Sequence, residues 1–494
     1  MERSSGILLS ISSLPSPYGI GTLGKEACVF LDFLAEAKQG WWQILPVGPT
    51  SMGDSPYQSF SVFAGNPYFI DPDLLIRDGL LKPEEVQTVF WGDDPGHADY
   101  GILYQERLPL LEKAFQRGWD RDRESIRRFE EENADWLPDY TLFMALKQHF
   151  GMRSWLEWPD EGCRFRKPEV LKAYREKLRQ TICFFTYVQY LFFAQWKTIR
   201  AYARKKQIRI MGDMALYPAM DSADVWAAPE NFQLNEKRQP EAVAGVPPDY
   251  FTADGQLWGN PLYDYTYMKQ DGFSWWIRRV AGAAKLYDAI RIDHFRGLES
   301  YWAVPAGEKT AKNGHWVKGP GMDLLQVLKD RFPDIQFIAE NLGYLTPEVA
   351  QLLQDSGFPG MHILEFAFDS RDSNSSLPYA YERNSLCYTG SHDNETLNEW
   401  FTVAAPEDLE QVRRYMGLHK EEGNVWGMLR GGMSSAADMF IVQMQDYLEL
   451  GAEARMNKPG TTTGNWRWRM QPGQIKEGLA ERIADMTSLY GRSK

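Results

Sequence analysis

The nine residues Ala289-Ile290-Arg291-Ile292-Asp293-His294-Phe295-Arg296-Gly297 change character halfway along. Ala289, Ile290 and Ile292 suit a buried β-strand, Asp293 ends the apolar run, and Gly297 supplies turn chemistry soon after. A carboxylate at the carboxyl end of a buried strand is where an α/β barrel keeps its reactive groups. Phe337-Ile338-Ala339-Glu340-Asn341 repeats the design, and so does Leu386-Cys387-Tyr388-Thr389-Gly390-Ser391-His392-Asp393. Ile208-Arg209-Ile210-Met211-Gly212-Asp213 is an earlier apolar run that also closes on an acid.

Working outward from these stretches, four more segments read as buried strands: Gly6–Ile11, Trp41–Pro46, Met361–Phe366 and Met439–Met444. Helical periodicity separates them, as in Lys25–Ala37, Trp275–Leu286 and Met322–Lys329. Eight strands alternating with helices predict an α/β fold, a (β/α)8 TIM barrel with large helical and loop insertions, forming one domain over residues 1–494. Residues 75–205 lose strand-like runs and carry helically spaced apolar positions such as Phe185, Val188, Leu191 and Phe192, which predicts a helical insertion within the barrel. Two Gly-, Pro- and aromatic-rich excursions, in 228–270 and 455–466, are too long for simple connectors, and residues 303–318 read as an irregular or hairpin excursion.

The chain has 44% hydrophobic and 24% charged residues, ordinary for a globular protein. A net charge of −13 without a basic run argues against nucleic acid as a partner. No stretch approaches the roughly 20 apolar residues that cross a bilayer, so no membrane role is expected. Cys28, Cys163, Cys183 and Cys387 lack metal or redox spacing, which points to free thiols in a reducing cytoplasm. Gly19-Ile20-Gly21-Thr22-Leu23-Gly24 matches a dinucleotide fingerprint in form, but Gly40–Pro49 contains no acid to hold a ribose. No dinucleotide cofactor is therefore expected. Aromatic residues make up 14% of the chain, and Trp and Tyr faces suit the apolar faces of sugar rings.

Cleaving a glycosidic bond with retention requires a carboxylate nucleophile and a protonated carboxylic acid about 5–5.5 Å apart. Adjacent barrel strands can present such a pair, here Asp293 and Glu340. The shorter Asp suits the nucleophile and the longer Glu the proton donor, whose affinity for its proton rises beside a second carboxylate. Asp393 is a candidate for binding sugar hydroxyls and favouring a distorted ring. Arg291 shares a strand face with Asp293 and can hold it ionised, although Arg-x-Asp is equally a structural ion pair. His294 and His392 can donate to sugar hydroxyls. Asp293, His294, His392 and Asp393 also form a conceivable N/O metal set, but neighbouring strand residues point to opposite faces and no metal site is expected.

Arg291-Ile292-Asp293-His294, Ala339-Glu340-Asn341 and Ser391-His392-Asp393-Asn394-Glu395-Thr396 resemble the catalytic motifs of the α-amylase clan. Within it the chain resembles the 4-α-glucanotransferases, the amylomaltase or disproportionating-enzyme family. Ser12–Gly21, Ser55-Pro56-Tyr57-Gln58, Gly245–Phe251, Trp258-Gly259-Asn260-Pro261 and Arg455-Met456-Asn457 through Gly464-Asn465-Trp466 carry that likeness across nearly the whole chain. The resemblance implies Asp293 as nucleophile, Glu340 as general acid/base and Asp393 as transition-state stabiliser. It implies that Tyr57, Asp213, Arg291, His294 and His392 line the reacting subsite. Tyr250, Phe251, Trp258 and Asn465 would contact glucan from loops within 228–270 and 455–466 that arch over the groove. Expected partners are malto-oligosaccharides, starch- or glycogen-type α-1,4-glucans and glucose, with the chain a monomer or weak homodimer. Met214-Ala215-Leu216-Tyr217-Pro218 departs from the family's usual proline- and valine-containing segment. The acids alone also allow a hydrolysing amylase-like enzyme or an inactive glucan-binding protein.

Overall fold

A computed structural model describes residues 2–493 apart from 52, 249–251, 344 and 372–375. Eight parallel strands form its centre: β1 Ser4–Leu8, β2 Trp41–Gln43, β3 Arg209–Met214, β4 Ala289–Ile292, β5 Gln336–Ala339, β6 Gly360–Ile363, β7 Ser385–Tyr388 and β8 Met439–Gln443. Each pairs with its sequence neighbour, and β8 returns to β1, with Ser4 opposite Met439 and Leu8 opposite Gln443. Between β5 and β6 the ladder reduces to single bonds. Ala339 N–H donates to Pro359 O at 2.9 Å, and Met361 N–H donates to the Asn341 side-chain oxygen at 2.6 Å. These bonds bring the sheet round into a (β/α)8 TIM barrel.

Why the sequence closes this way is visible on the two faces of the strands. Ile7, Trp42, Ile210, Ile290, Ile338, Leu386 and Ile441 are each fully buried, as expected for parallel strands covered on both faces. Tyr388 OH donates to Gln43 Oε1 at 2.8 Å across the barrel. Gly6 is required, because a Cβ there would sit 2.6 Å from that of Trp41.

The helix Arg179–Lys205 packs its Phe185, Val188 and Phe192 inward. Gln189 exchanges two hydrogen bonds with the backbone of Gly65, at 2.7 and 2.9 Å, and Gln195 does the same with Asp71, at 2.7 and 3.2 Å. Two buried amides thereby pin the end of the segment that follows β2 and carries Tyr57.

Several expected boundaries move. The Gly6–Ile11 strand ends at Leu8, and Ile11–Ser13 forms a 3-10 turn capped by the Ser10 hydroxyl on Ser12 N–H. Trp41–Pro46 is strand only to Gln43, the two prolines that flank Val47 and Gly48 being unable to donate to a ladder. Part of the aromatic excursion is a sheet. Strands Ala242–Val246, Gln256–Pro261, Ser300–Pro305 and His315–Lys318 pair antiparallel, the last two as a hairpin with Trp302 opposite Trp316. Glycine and proline mask the first two of these strands in the sequence. Asp393, expected at the end of a strand, instead lies in the turn beyond β7, which stops at Tyr388.

Candidate active site

Registry places the first two acids together. Ile292 pairs with Ala339, and one step further Glu340 N–H donates to Ile292 O at 3.0 Å, so Asp293 and Glu340 leave neighbouring strands side by side. Adjacent strands lie about 4.8 Å apart, which sets the scale of the gap between the two side chains. His294 then turns the chain in the left-handed region, φ 51°, a conformation costly for a residue with a Cβ. That turn aims His294 N–H at Glu340 Oε2, 2.7 Å away, while Leu342 N–H donates to Oε1 at 3.0 Å. Gly297 is needed here, since a Cβ would come within 2.5 Å of Leu216 and 3.0 Å of the His294 ring.

Arg291 is the electrostatic centre. Its Nη1 donates to both Asp213 oxygens, at 2.8 and 2.7 Å, and to Asp293 Oδ1 at 3.0 Å. Burial opposes its charge, yet Asp213, Asp293 and Glu340 together hold it well above the ordinary arginine value. Burial pushes the Asp293 carboxyl up to about 7, resisted by Arg291 and helped by Asp213 and Asp393. Burial also raises Glu340 to about 7, with Asp293 adding to the rise and Arg291 and two backbone N–H groups opposing it. Two carboxylates sharing one partly buried site keep a proton between them near neutral pH. Direct donation from Arg291 makes Asp293 the charged partner.

Tyr57 joins the site from the loop after β2. Its hydroxyl donates to Asp213 Oδ2 at 2.8 Å, and its ring stacks on His392, with centroids 5.1 Å apart and planes 19° apart. Burial, with Asp213 next, raises the Tyr57 phenol well above its ordinary value, so it stays a donor. His392 Nε2 lies 3.5 Å from Asp393 Oδ1. Asp393 remains 42% exposed at its side chain, open to a ligand in the groove. Burial, then Arg296, lowers His294 to about 3, and its ring meets the edge of Trp258 at 4.8 Å.

Asp213, Arg291, Asp293, His294, Glu340, Tyr57, His392 and Asp393 are thus joined in one network, with Trp258 at its edge. Asn465 is elsewhere engaged, its side chain accepting from Lys458 N–H at 3.0 Å and donating to Thr461 O at 3.1 Å within its own loop. Tyr250 and Phe251 lie outside the described residues. No cluster of three or more metal-ligating side chains occurs among the described residues.

Sequence reasoning gave no individual role to Arg455, Asn457 or Trp466. Trp466 stands 5.7 Å from the Tyr57 ring and 5.8 Å from that of His392. Asn457 Nδ2 donates to Asp393 Oδ1 at 2.6 Å, and Arg455 Nη2 donates to Asp393 O at 3.0 Å. It also missed a sealed acid pair, Glu365 and Asp446, which are 2% and 1% exposed. Both Glu365 oxygens lack a hydrogen-bond partner among the described residues.

Comparison with known proteins follows the same lines. A sequence model of the family described as 4-alpha-glucanotransferase matches residues 9–476. A 4-alpha-glucanotransferase of Clostridium butyricum is 48% identical over 486 residues, covering 98% of this chain and 100% of that protein. One from Thermus thermophilus is 44% identical over 503 residues, covering 100% and 99%. The solved amylomaltase from Streptococcus agalactiae in complex with acarbose superposes with a TM-score of 0.97 at 42% identity, covering 100% of both chains.

Proposed function

We propose a division of labour for a chain that belongs to the 4-alpha-glucanotransferase family and carries that activity: Asp293 attacks, Glu340 moves the proton and Asp393 steadies the charged sugar. The observation that carries this reading is the partly buried pair at the ends of β4 and β5, two adjoining carboxyls of raised proton affinity with Arg291 bound to only one of them.

In the first step, an Asp293 oxygen forms a bond to the anomeric carbon of the donor as the glycosidic C–O bond breaks. Glu340 gives its proton to the departing oxygen, so the leaving sugar exits as a neutral alcohol. In the second step, Glu340, now a carboxylate, takes the proton from an acceptor's 4-hydroxyl. That oxygen bonds to the anomeric carbon, and Asp293 leaves as a carboxylate. Two inversions retain the α configuration, one 4-α linkage has replaced another, and the proton has returned to Glu340. Arg291 lowers the cost of ionised Asp293 in a buried site. Tyr57, Asp213, His294 and His392 bind the hydroxyls of the reacting glucose, and their fixed dipoles replace the water that the sugar displaces.

Transfer wins over hydrolysis when an acceptor sugar is held at the intermediate and water is not. Trp258, whose ring lies beside that of His294, is the residue we assign to the acceptor side. Asn465 orders its loop, and Tyr250 and Phe251 enter this reading from the family resemblance. Replacing both aromatics with Ser is expected to raise free-sugar release relative to transfer, measured as reducing ends per linkage exchanged. Donors and acceptors are α-1,4-glucans, malto-oligosaccharides and glucose.

The same reading treats 1–494 as one barrel domain, 75–205 as a helical insertion, and 228–270 and 455–466 as covers of the groove. Helices such as Tyr100–Gly118, Leu137–His149 and Arg179–Lys205 support the insertion. A monomer or weak homodimer in the cytoplasm is the setting we favour. Among the described residues the cysteines are free and no helix is long and apolar enough to cross a membrane.

Incubation with maltotriose tests the activity and the roles together. Oligomers longer than the donor are expected from the parent chain and none from Asp293→Ala; turnover retained in that variant would overturn the assignment of the nucleophile.

A further inference from the structure

We infer that Asn457 and Arg455 are positioning residues for Asp393, setting which of its oxygens faces the sugar. This rests on the proposed role of Asp393. Unlike Asp293 and Glu340, Asp393 lies in a turn beyond its strand, where no ladder fixes it. The segment Arg455–Asn457 supplies the missing constraint from the far side. Asn457 N–H donates to His392 O at 3.1 Å, and its side-chain amide donates to Asp393 Oδ1 at 2.6 Å. Arg455 donates to Asp393 O at 3.0 Å, to Asn457 O at 2.9 Å and to Glu395 Oε1 at 2.7 Å. One guanidinium therefore fixes the backbone on both sides of the Asn457–Asp393 bond.

The choice of an amide has a chemical reason. An ammonium or guanidinium on Asp393 would neutralise the charge that faces a developing oxocarbenium ion, whereas a neutral donor fixes one oxygen and leaves the carboxylate's charge for the sugar. With Oδ1 occupied by Asn457, the second oxygen is left for the substrate's hydroxyls. The bond is useful chiefly as the ring distorts, so its loss belongs in kcat and not in KM.

Asn457→Ala and Asn457→Asp test this in the full-length enzyme, the second variant keeping the side-chain shape while removing the donor in its ionised form. Initial rates are measured with maltotriose and with α-maltotriosyl fluoride, whose leaving group needs no proton, alongside thermal unfolding. A fall in kcat of about 10- to 100-fold on both donors, with KM held within about two-fold, is expected, as when an orienting partner is lost. Unchanged kcat, a loss confined to KM, or a loss that disappears with the fluoride would each overturn the inference, the last by assigning the amide to proton transfer. Asp393→Asn, run in parallel, separates the two layers. If it retains full kcat, the role of Asp393 itself fails; if it is inactive while both Asn457 variants turn over normally, only the positioning role fails.

Discussion

Two groups of acids gather at the same end of the barrel, each around one arginine, and they differ in how far the groove reaches them. Around Arg291, Asp213 and Asp293 accept from the guanidinium, and the Asp293 and Asp393 side chains are 28% and 42% exposed toward the groove. Around Arg455, Glu395 and Glu399 face the guanidinium at 2.7 and 3.6 Å. Beneath them Glu365 and Asp446 are sealed off. Burial raises Glu365 well above the ordinary carboxylate value and Asp446 to about 7, Asp446 adding to the rise at Glu365. The first group opens on the groove, where a reaction can draw on it, whereas Glu365 and Asp446 carry their raised proton affinity out of its reach. Burial alone does not mark a catalytic acid; burial beside an arginine and an open groove does.

The largest effect that sharpens this contrast comes from Asp293→Ala. Transfer from maltotriose should fall by at least about 10⁴-fold, the scale for removing a nucleophile, while circular dichroism stays that of the parent. Glu340→Gln should lose about 10²–10⁴-fold on maltotriose, the usual share of a general acid, and much less in the first step with α-maltotriosyl fluoride. In stability, Arg291→Met strands buried Asp213 without its counter-ion and should cost about 3–5 kcal/mol, read from urea unfolding. Arg455→Met strands partly exposed partners and should cost about 1 kcal/mol. Equal losses from the two arginine variants would erase the distinction. The smallest effect is expected from Glu365→Gln, because an amide mimics the neutral acid: activity within about two-fold of the parent and stability within about 1 kcal/mol near neutral pH.

The acid pair also fixes a pH dependence. Activity should fall on the acid side of neutrality as Asp293 takes up a proton, and on the alkaline side as Glu340 loses its own, the pair titrating around 7. Stability has its own sign. Unfolded, Glu340 titrates near about 4.3; folded, it titrates higher, so the native state holds the extra proton between those values and loses stability as pH rises through them. Glu340→Gln removes that decline. Its unfolding temperature should exceed the parent's at about pH 8 and lose the advantage toward about pH 4.

The eight barrel strands were legible as apolar runs, and so were Asp213 near the end of β3 and the acids just beyond β4 and β5, because each closes such a run with a carboxylate, a pattern local in sequence. What was less legible is non-local. Asp393 is placed by Asn457, 64 residues away, and no periodicity connects them. The small antiparallel sheet uses glycine- and proline-bearing strands such as Ala242–Val246 and Gln256–Pro261, where composition reads as loop. Glu365 follows an apolar run that looks like those before Asp293 and Glu340, yet the groove is closed to it. Only packing separates the used strand-end acids from the silent one.

Intact-protein and peptide mass spectrometry of Glu340→Gln given α-maltotriosyl fluoride tests the account most directly. Fluoride leaves without a proton, and the missing base slows release, so a covalent adduct of one maltotriosyl unit should accumulate on the peptide containing Asp293. Consumption of the donor with no adduct, or an adduct on any other residue, would contradict it.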